Sequence, residues 1–226
     1  MINEKIGIVT ACMNRENMLN VSLRSWLNFE EISEIIIVDW SSKNSLKKLE
    51  TIDERIKVIR IEEKEYFNIG KAFNIGFKNA TADKILKMDV DYILNPYFNL
   101  FKSDVKLTKD SFITGNWEDE VKDNEMGFMK YLNGFIYLHR ENFEKCEYSG
   151  WDNYGWDDDD LYNCLQNNNL IRIKLYDITS TLFIYHNPHD DPTRTENYKS
   201  DRLGGNQKKY NKVVAKKKNH RKENNS

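Results

Sequence analysis

Two hydrophobic rhythms alternate along the first half of the chain. "KIGIVTA", "EIIIVDW", "IKVIRIE" and "DKILKMDVD" are short apolar runs bounded by polar residues, the pattern of buried strands. Between them the spacing becomes helical. "ENMLNVSLRSWLNF" places Leu19, Leu23, Trp26 and Leu27 on one face, and "IGKAFNIGFKNA" repeats Ile69, Phe73 and Phe77 at i, i+4, i+8. "NSLKKLETI" reads as a shorter helix. Strands that alternate with helices predict an α/β fold with a mostly parallel central sheet flanked by helices on both faces.

After "NPYF" the rhythm changes. "SFITGNW" and "NGFIYLH" read as strands joined by the polar loop "EDEVKDNEMGFMKY". A helix opens at the run Asp157 to Asp160, and "IRIKLYD" and "TLFIYH" read as further strands. No repeat or low-complexity linker divides the chain. The expected organisation is one domain over residues 1–205 and a basic, disordered tail over 206–226.

Composition narrows the class. A chain of 226 residues with 39% hydrophobic and 12% aromatic content suits one compact core. The start, "MINEKIGIVTACMN", reads as lacking a signal peptide, and no apolar run approaches the ~20 residues of a membrane span. Cys12, Cys146 and Cys164 are an odd set at unrelated spacings, so neither a disulfide nor a zinc site is expected. These features predict a reduced, cytoplasmic protein. From Asn206 to Ser226 eight Lys or Arg face the single Glu223, a net of +7, which leaves the preceding residues at −9. Such a tail is solvated or, alternatively, drawn to an anionic membrane surface, which would make the protein peripheral to a membrane. The acidic body argues against nucleic acid as a partner.

Ligands of open α/β sheets bind beyond the carboxyl ends of the strands. Polar clusters stand at three such ends: "TACMNR", "DWSSKN" and "DVD". Neither G-x-G-x-x-G nor G-x-x-x-x-G-K-[ST] occurs, which disfavours dinucleotide and P-loop chemistry. On an extended backbone Asp89 and Asp91 would face one side, and such oxygen ligands suit Mg²⁺ or Mn²⁺ bridging to a diphosphate. The alternative for so short a motif is an ordinary acidic turn. The run Asp157 to Asp160 can serve the dipole of a helix start, but four carboxylates exceed that need. An EF-hand is excluded, since position six counted from Asp152 is Asp157 rather than Gly. What remains is a carboxylate cluster flanked by "GWDNYGW", whose rings suit the C–H face of a sugar while a carboxylate accepts a hydroxyl proton.

In their order, "IIIVDWSSKN", "FNIGKAFNIGFKNA", "ILKMDVD", "NGFIYLHRENF", "GWDNYGWDDDDLYNCL" and "YHNPHDDPTR" resemble GT-A-fold glycosyltransferases. The first half is similar to family 2, and the second half to the β-1,4-galactosyltransferase and chondroitin-polymerase type. The resemblance covers roughly residues 5 to 200, a one-domain length. It implies a metal-dependent inverting transfer of a hexose or N-acetylhexosamine from a UDP-sugar to a hydroxyl of a glycan or polysaccharide acceptor. By the same resemblance Asp39 would bind the uracil or ribose end, with Thr10, Asn14 and Arg15 in the same pocket. Asp89 would hold the ribose or support the metal, and Gly134 would contact the nucleotide-sugar. Asp91 and His186 would ligate Mn²⁺ or Mg²⁺, with His189 as a substitute. Asp158 would be the general base, and Asp157, Trp156 and Tyr154 would hold the acceptor. Repulsion within the run would raise the pKa of one aspartate into the range of a working base. Asp157 stands where the family usually has Glu, and "DWSS" replaces the commoner Asp-Asp-Gly-Ser. A sugar nucleotidyltransferase would share the fold and metal aspartates but should carry a Gly- and Arg-rich turn after the first strand, and "TACMNREN" has none. A non-catalytic carbohydrate-binding domain would use Trp151, Tyr154 and Trp156 without needing Asp89, Asp91, Asp158 and His186 together.

Overall fold

A computed structural model describes residues 4–116, 131–151, 155–189 and 198. The apolar runs form β1 (Ile6–Cys12), β2 (Ile32–Trp40), β3 (Ile56–Ile61) and β4 (Lys84–Lys87). The helical segments form α1 (Glu16–Trp26) and α2 (Ile69–Asn79), while Leu46–Thr51 is a 3₁₀ helix rather than an α-helix. The second half adds β5 (Tyr92–Leu94), β6 (Ser111–Thr114), β7 (Ile136–His139), α3 (Arg140–Phe143), α4 (Asp157–Asn167), β8 (Ile171–Lys174), α5 (Leu175–Ile178) and β9 (Ile184–His186).

Seven strands make one sheet in the order β3-β2-β1-β4-β7-β6-β8, in which β7 runs against the rest. The sheet is buried on both faces, as its uninterrupted apolar strands require. On one face Ile8, Ile35 and Ile37 pack with Leu19, Leu23 and Trp26 of α1. On the other, Val9, Ile36 and Val38 pack with Phe73 and Phe77 of α2 and with Leu161 and Leu165 of α4. Burying each phenylalanine contributes ~1.5–3 kcal/mol. Gly76 lets α2 approach this face, because a Cβ there would collide with Val9.

Three elements differ from the sequence expectation. The strand "DKILKMDVD" ends at Lys87, where its pairing with β1 ends, and Asp89–Tyr92 is a turn closed by a 3.1 Å bond from the Tyr92 amide to the Asp89 carbonyl. Helix α1 captures this turn: Ser22 Oγ donates to the Val90 carbonyl at 2.8 Å and Trp26 Nε1 to the Tyr92 carbonyl at 2.9 Å. The metal-motif aspartates therefore do not alternate along a strand. In "IRIKLYD" only the first four residues are extended, and Leu175, fully buried, begins α5. The segment "TLFIYH" does not join the main sheet, because β9 pairs with β5 in a separate two-stranded ribbon.

The expectation of no disulfide is also corrected. Cys146 and Cys164 form one, with Cα atoms 5.7 Å apart, tying the segment after α3 to the last turn of α4. Eighteen residues separate the two cysteines, and only the packing of α4 against that segment brings them together. No described helix is long and apolar enough to cross a membrane. The basic tail lies outside the described residues.

Candidate active site

Strands β1, β2, β4, β6 and β8 all end on the same side of the sheet. Over those ends lies a cleft of about 920 Å³, within the usual range for a small-molecule site. Arg15, Lys87, Asp89, Asp91, Asp158 and His186 are among its lining residues.

Asp91 is the focus of the first cluster. The antiparallel register of β5 with β9 sets Tyr92 opposite His186, so a histidine is delivered beside the turn. A 2.7 Å bond from the Asn187 amide to the Asp91 carbonyl fixes the chain that follows. His186 Nε2 lies 3.6 Å and His189 Nε2 2.8 Å from Asp91 Oδ2. From the other side Arg15 reaches the same oxygen at 2.8 Å. Burial alone would raise the pKa of Asp91, but the two imidazoles and Arg15 outweigh it and hold the carboxyl well below its usual range. One carboxylate oxygen and two imidazole nitrogens lie within 4.8 Å of one another, a donor set that fits a divalent transition metal. His189 thus stands beside His186 at the same carboxylate.

The second cluster spreads the aspartates around the first turn of α4. Successive helical residues point about 100° apart, so the four carboxylates separate. Asp160 is buried and accepts bonds from the Ser149 amide at 3.2 Å and from the Ser149 hydroxyl. Asp158 Oδ1 accepts from Lys87 Nζ at 3.0 Å and from the Tyr148 hydroxyl at 2.9 Å. Lys87 is 1% exposed, lies 4.4 Å from the centre of the Phe73 ring, and also reaches Asp89 at 2.9 Å. Burial would lower the pKa of this ammonium, but Asp158 and Asp89 outweigh it and raise the value, so the lysine stays charged. Asp157 is buried, and its pKa is pushed well above the ordinary carboxylate range. Burial is the larger cause and the charge of Asp158 the second, so repulsion is not the main source of the shift. Asp89 is raised as well, by burial first, against the opposing pull of Lys87.

The remaining sequence-predicted residues are arranged unequally. Asp39 is fully buried, and its oxygens accept from the Ser42 amide at 3.1 Å, the Leu46 amide at 3.0 Å and Arg60 Nη1 at 2.6 Å. Asn14, at φ +57°, receives the Lys43 amide at 2.8 Å and sends its own amide to Ser42 Oγ at 3.1 Å. Both therefore hold the loop after β2. Thr10 is fully buried, and its hydroxyl has no hydrogen-bond partner among the described residues. None of these three lines the cleft, whereas Arg15 does. Gly134 does not line it either: its amide donates to the Tyr92 hydroxyl at 3.1 Å, and a Cβ there would collide with Asp89 and that hydroxyl. Trp156 lines the cleft and precedes α4 at φ +68°, a left-handed conformation unfavourable for a bulky side chain. Tyr154 lies outside the described residues.

Sequence reading did not single out Lys87, Tyr148 or Arg172, all of which line the cleft. A signal existed for Lys87, since a lysine inside the apolar run "KILKMDV" needs a buried partner.

Residues 7–145, more than half of the chain, match the family model described as glycosyl transferase family 2. A poly-β-1,6-N-acetyl-D-glucosamine synthase of Staphylococcus aureus (strain MSSA476) is 30% identical over 131 residues, 55% of this chain and 31% of that protein. The chain thus spans about a third of the length of the curated relatives it matches. Among solved structures, the β-1,4-galactosyltransferase 7 of Drosophila, in complex with manganese, UDP-Gal and xylobiose, is similar at TM-score 0.59 and 16% identity, over 90% of this chain and 78% of that one. Staphylococcus aureus TarS in complex with UDP-GlcNAc is similar at TM-score 0.60 and 15% identity, over 82% and 59%. At such identities the likeness is one of fold, and the fold is GT-A. With the family model spanning β1 through α3, the chain belongs to glycosyl transferase family 2.

Proposed function

We propose that this domain transfers a hexose or N-acetylhexosamine from a UDP-sugar to a glycan hydroxyl, with inversion at the anomeric carbon. The observation that carries this reading is the state of Asp158. One oxygen is held by Lys87 and Tyr148, and the carboxylate opens onto a cleft that also contains the Asp91, His186 and His189 cluster. Oδ2 is then available to take the proton of the acceptor hydroxyl as that oxygen attacks. The proton passes to Asp158, the new glycosidic bond forms, and the bond from the anomeric carbon to the diphosphate oxygen breaks. Lys87 holds the base in place until the proton arrives.

Asp91, His186 and His189 would hold the divalent cation, and the two imidazoles favour Mn²⁺ over Mg²⁺. When bound, it supplies positive charge against the departing diphosphate. The solved galactosyltransferase and TarS complexes contain UDP-sugars, the former with manganese, in support of such a donor. Asp39 and Asn14 shape the nucleotide end by ordering the loop after β2 rather than through free polar atoms. Trp156 and Tyr154 offer aromatic surface to the acceptor. The basic tail supplies a weak attraction to an anionic membrane surface.

The test is a screen of UDP-sugars for Mn²⁺-dependent release of UDP, with Asp158→Asn and Asp157→Asn run beside the parent. Loss of transfer in Asp158→Asn with UDP binding retained supports the reading. Full transfer by Asp158→Asn would refute it, and loss only in Asp157→Asn would move the base by one residue.

A further inference from the structure

Strand β8 is the edge of the main sheet farthest from β3, and its second residue is the charged Arg172. In the β6–β8 register Arg172 stands opposite Phe112, which sets its side chain on the face covered by α4. The guanidinium is held at two points. Its Cζ lies 4.0 Å from the centre of the Tyr162 ring, and Nε donates to Thr114 Oγ1 at 3.0 Å. Stacking and the Nε bond leave both terminal amino groups available, and neither has a hydrogen-bond or carboxylate partner among the described residues.

The other two Arg or Lys side chains of the cleft are neutralised by its own carboxylates: Arg15 by Asp91, and Lys87 by Asp89 and Asp158. Arg172 lines the same cleft and is left out of this pairing, although Asp157, Asp158 and Asp159 also line it. A stacked guanidinium with its fork unfilled is preorganised for a carboxylate or phosphate, which it meets through parallel N–H bonds. Its position also selects the substrate. Asp39 and Asn14 stand at the β1–β2 end and Asp91 follows β4, whereas Arg172 lies under α4 on the opposite edge strand. Asp158 is on α4, the helix that packs against β8, so the hydroxyl it would deprotonate approaches from the Arg172 side.

We infer that Arg172 recognises an anionic substituent, carboxylate or phosphate, on the acceptor, so that the acceptor is an acidic rather than a neutral glycan. This rests on the proposed reading of α4 as the acceptor side. The experiment titrates the full chain, with UDP and Mn²⁺ present, against methyl β-glucoside, methyl β-glucuronide and the 6-phosphate of methyl β-glucoside. At least one anionic probe should bind roughly tenfold or more tightly than the neutral one, as a charge-assisted contact provides. The tighter of the two identifies the anion. Arg172→Gln should remove the preference while leaving UDP affinity unchanged, and Arg172→Lys, which keeps charge but not the fork, should restore only part of it. Equal binding of neutral and anionic probes, no binding of either anionic probe, or an unchanged preference in Arg172→Gln would overturn the inference. A parallel titration compares UDP-glucose with UDP-glucuronate, and an Arg172-dependent preference for the latter would shift the anion to the donor and overturn the acceptor assignment. The readout is binding, so it is separable from the base: Asp158→Asn should show the same acceptor preference whether or not it transfers sugar.

Discussion

The loop after β2 and the first turn of α4 both gather aspartates at strand ends, yet they treat them in opposite ways. Asp39 has each oxygen bonded within its own loop and no exposed surface, so its charge is balanced before any ligand arrives. Around α4 the balance is incomplete. Asp158 shares Lys87 with Asp89, and Asp157 is buried with its pKa pushed up. Self-satisfied polar groups rigidify a scaffold, whereas partly satisfied ones store a demand that a substrate or proton can meet. The first region holds shape, and the second is the one we propose reacts.

The sharpest way to break this contrast is Asp158→Asn. Transfer should fall by roughly two to four orders of magnitude, the range for a lost general base, with UDP affinity in Mn²⁺ unchanged. A loss of UDP affinity of the same size would make the residue part of the donor site instead. Lys87→Met comes next. It strips the shared cation from two carboxylates, and urea unfolding should record a loss of about 3 kcal/mol, at the low end for a broken buried pair because both partners keep some solvent. An unchanged midpoint would mean that the ammonium balances nothing.

Asp39→Asn should behave differently from both. Removing the Arg60 partner from a fully buried site should cost about 2 kcal/mol of stability, read by the same unfolding curves, and lower turnover per folded molecule far less than Asp158→Asn does. Turnover lost without stability would reverse the roles of the two regions. The smallest effect belongs to Asp157→Asn and is a stabilisation. The folded-state pKa of Asp157 is raised, so the folded protein resists its ionisation. Stability is therefore full below the unfolded carboxyl value of about 3.9 and declines as pH rises above it. The variant should gain on the parent between pH 4 and pH 7 in urea midpoints. A gain that is the same at both values would assign the effect to something other than this proton.

The alternation of strand and helix was legible in the first half because it depends on neighbours within a few residues. Val9 and Ile36 face one layer while Ile8 and Ile35 face the other, as uninterrupted apolar runs demand. The second half was less legible, since a strand-like sequence does not say what it pairs with. Ile184–His186 left the main sheet for β5, and Leu175–Ile178 turned helical. At the site, the order of motifs pointed to Asp91, His186 and Asp158, and the structure brings these three to one cleft. Thr10, Asn14, Asp39 and Gly134 are not among the residues that line it, and their neighbours in the fold occupy or enclose them.

Local periodicity and motif order alone determined the layered α/β architecture, the helix start at the aspartate run and the family resemblance. Only the tertiary structure decided which charges meet. Lys87 finds Asp158 across 71 residues, and His189 finds Asp91 across 98. No periodicity within one element encodes such pairs, because they arise where the ends of separate strands and a helix converge. The same holds for Arg172, which meets Tyr162 of α4 and Thr114 of β6 from a third element, β8.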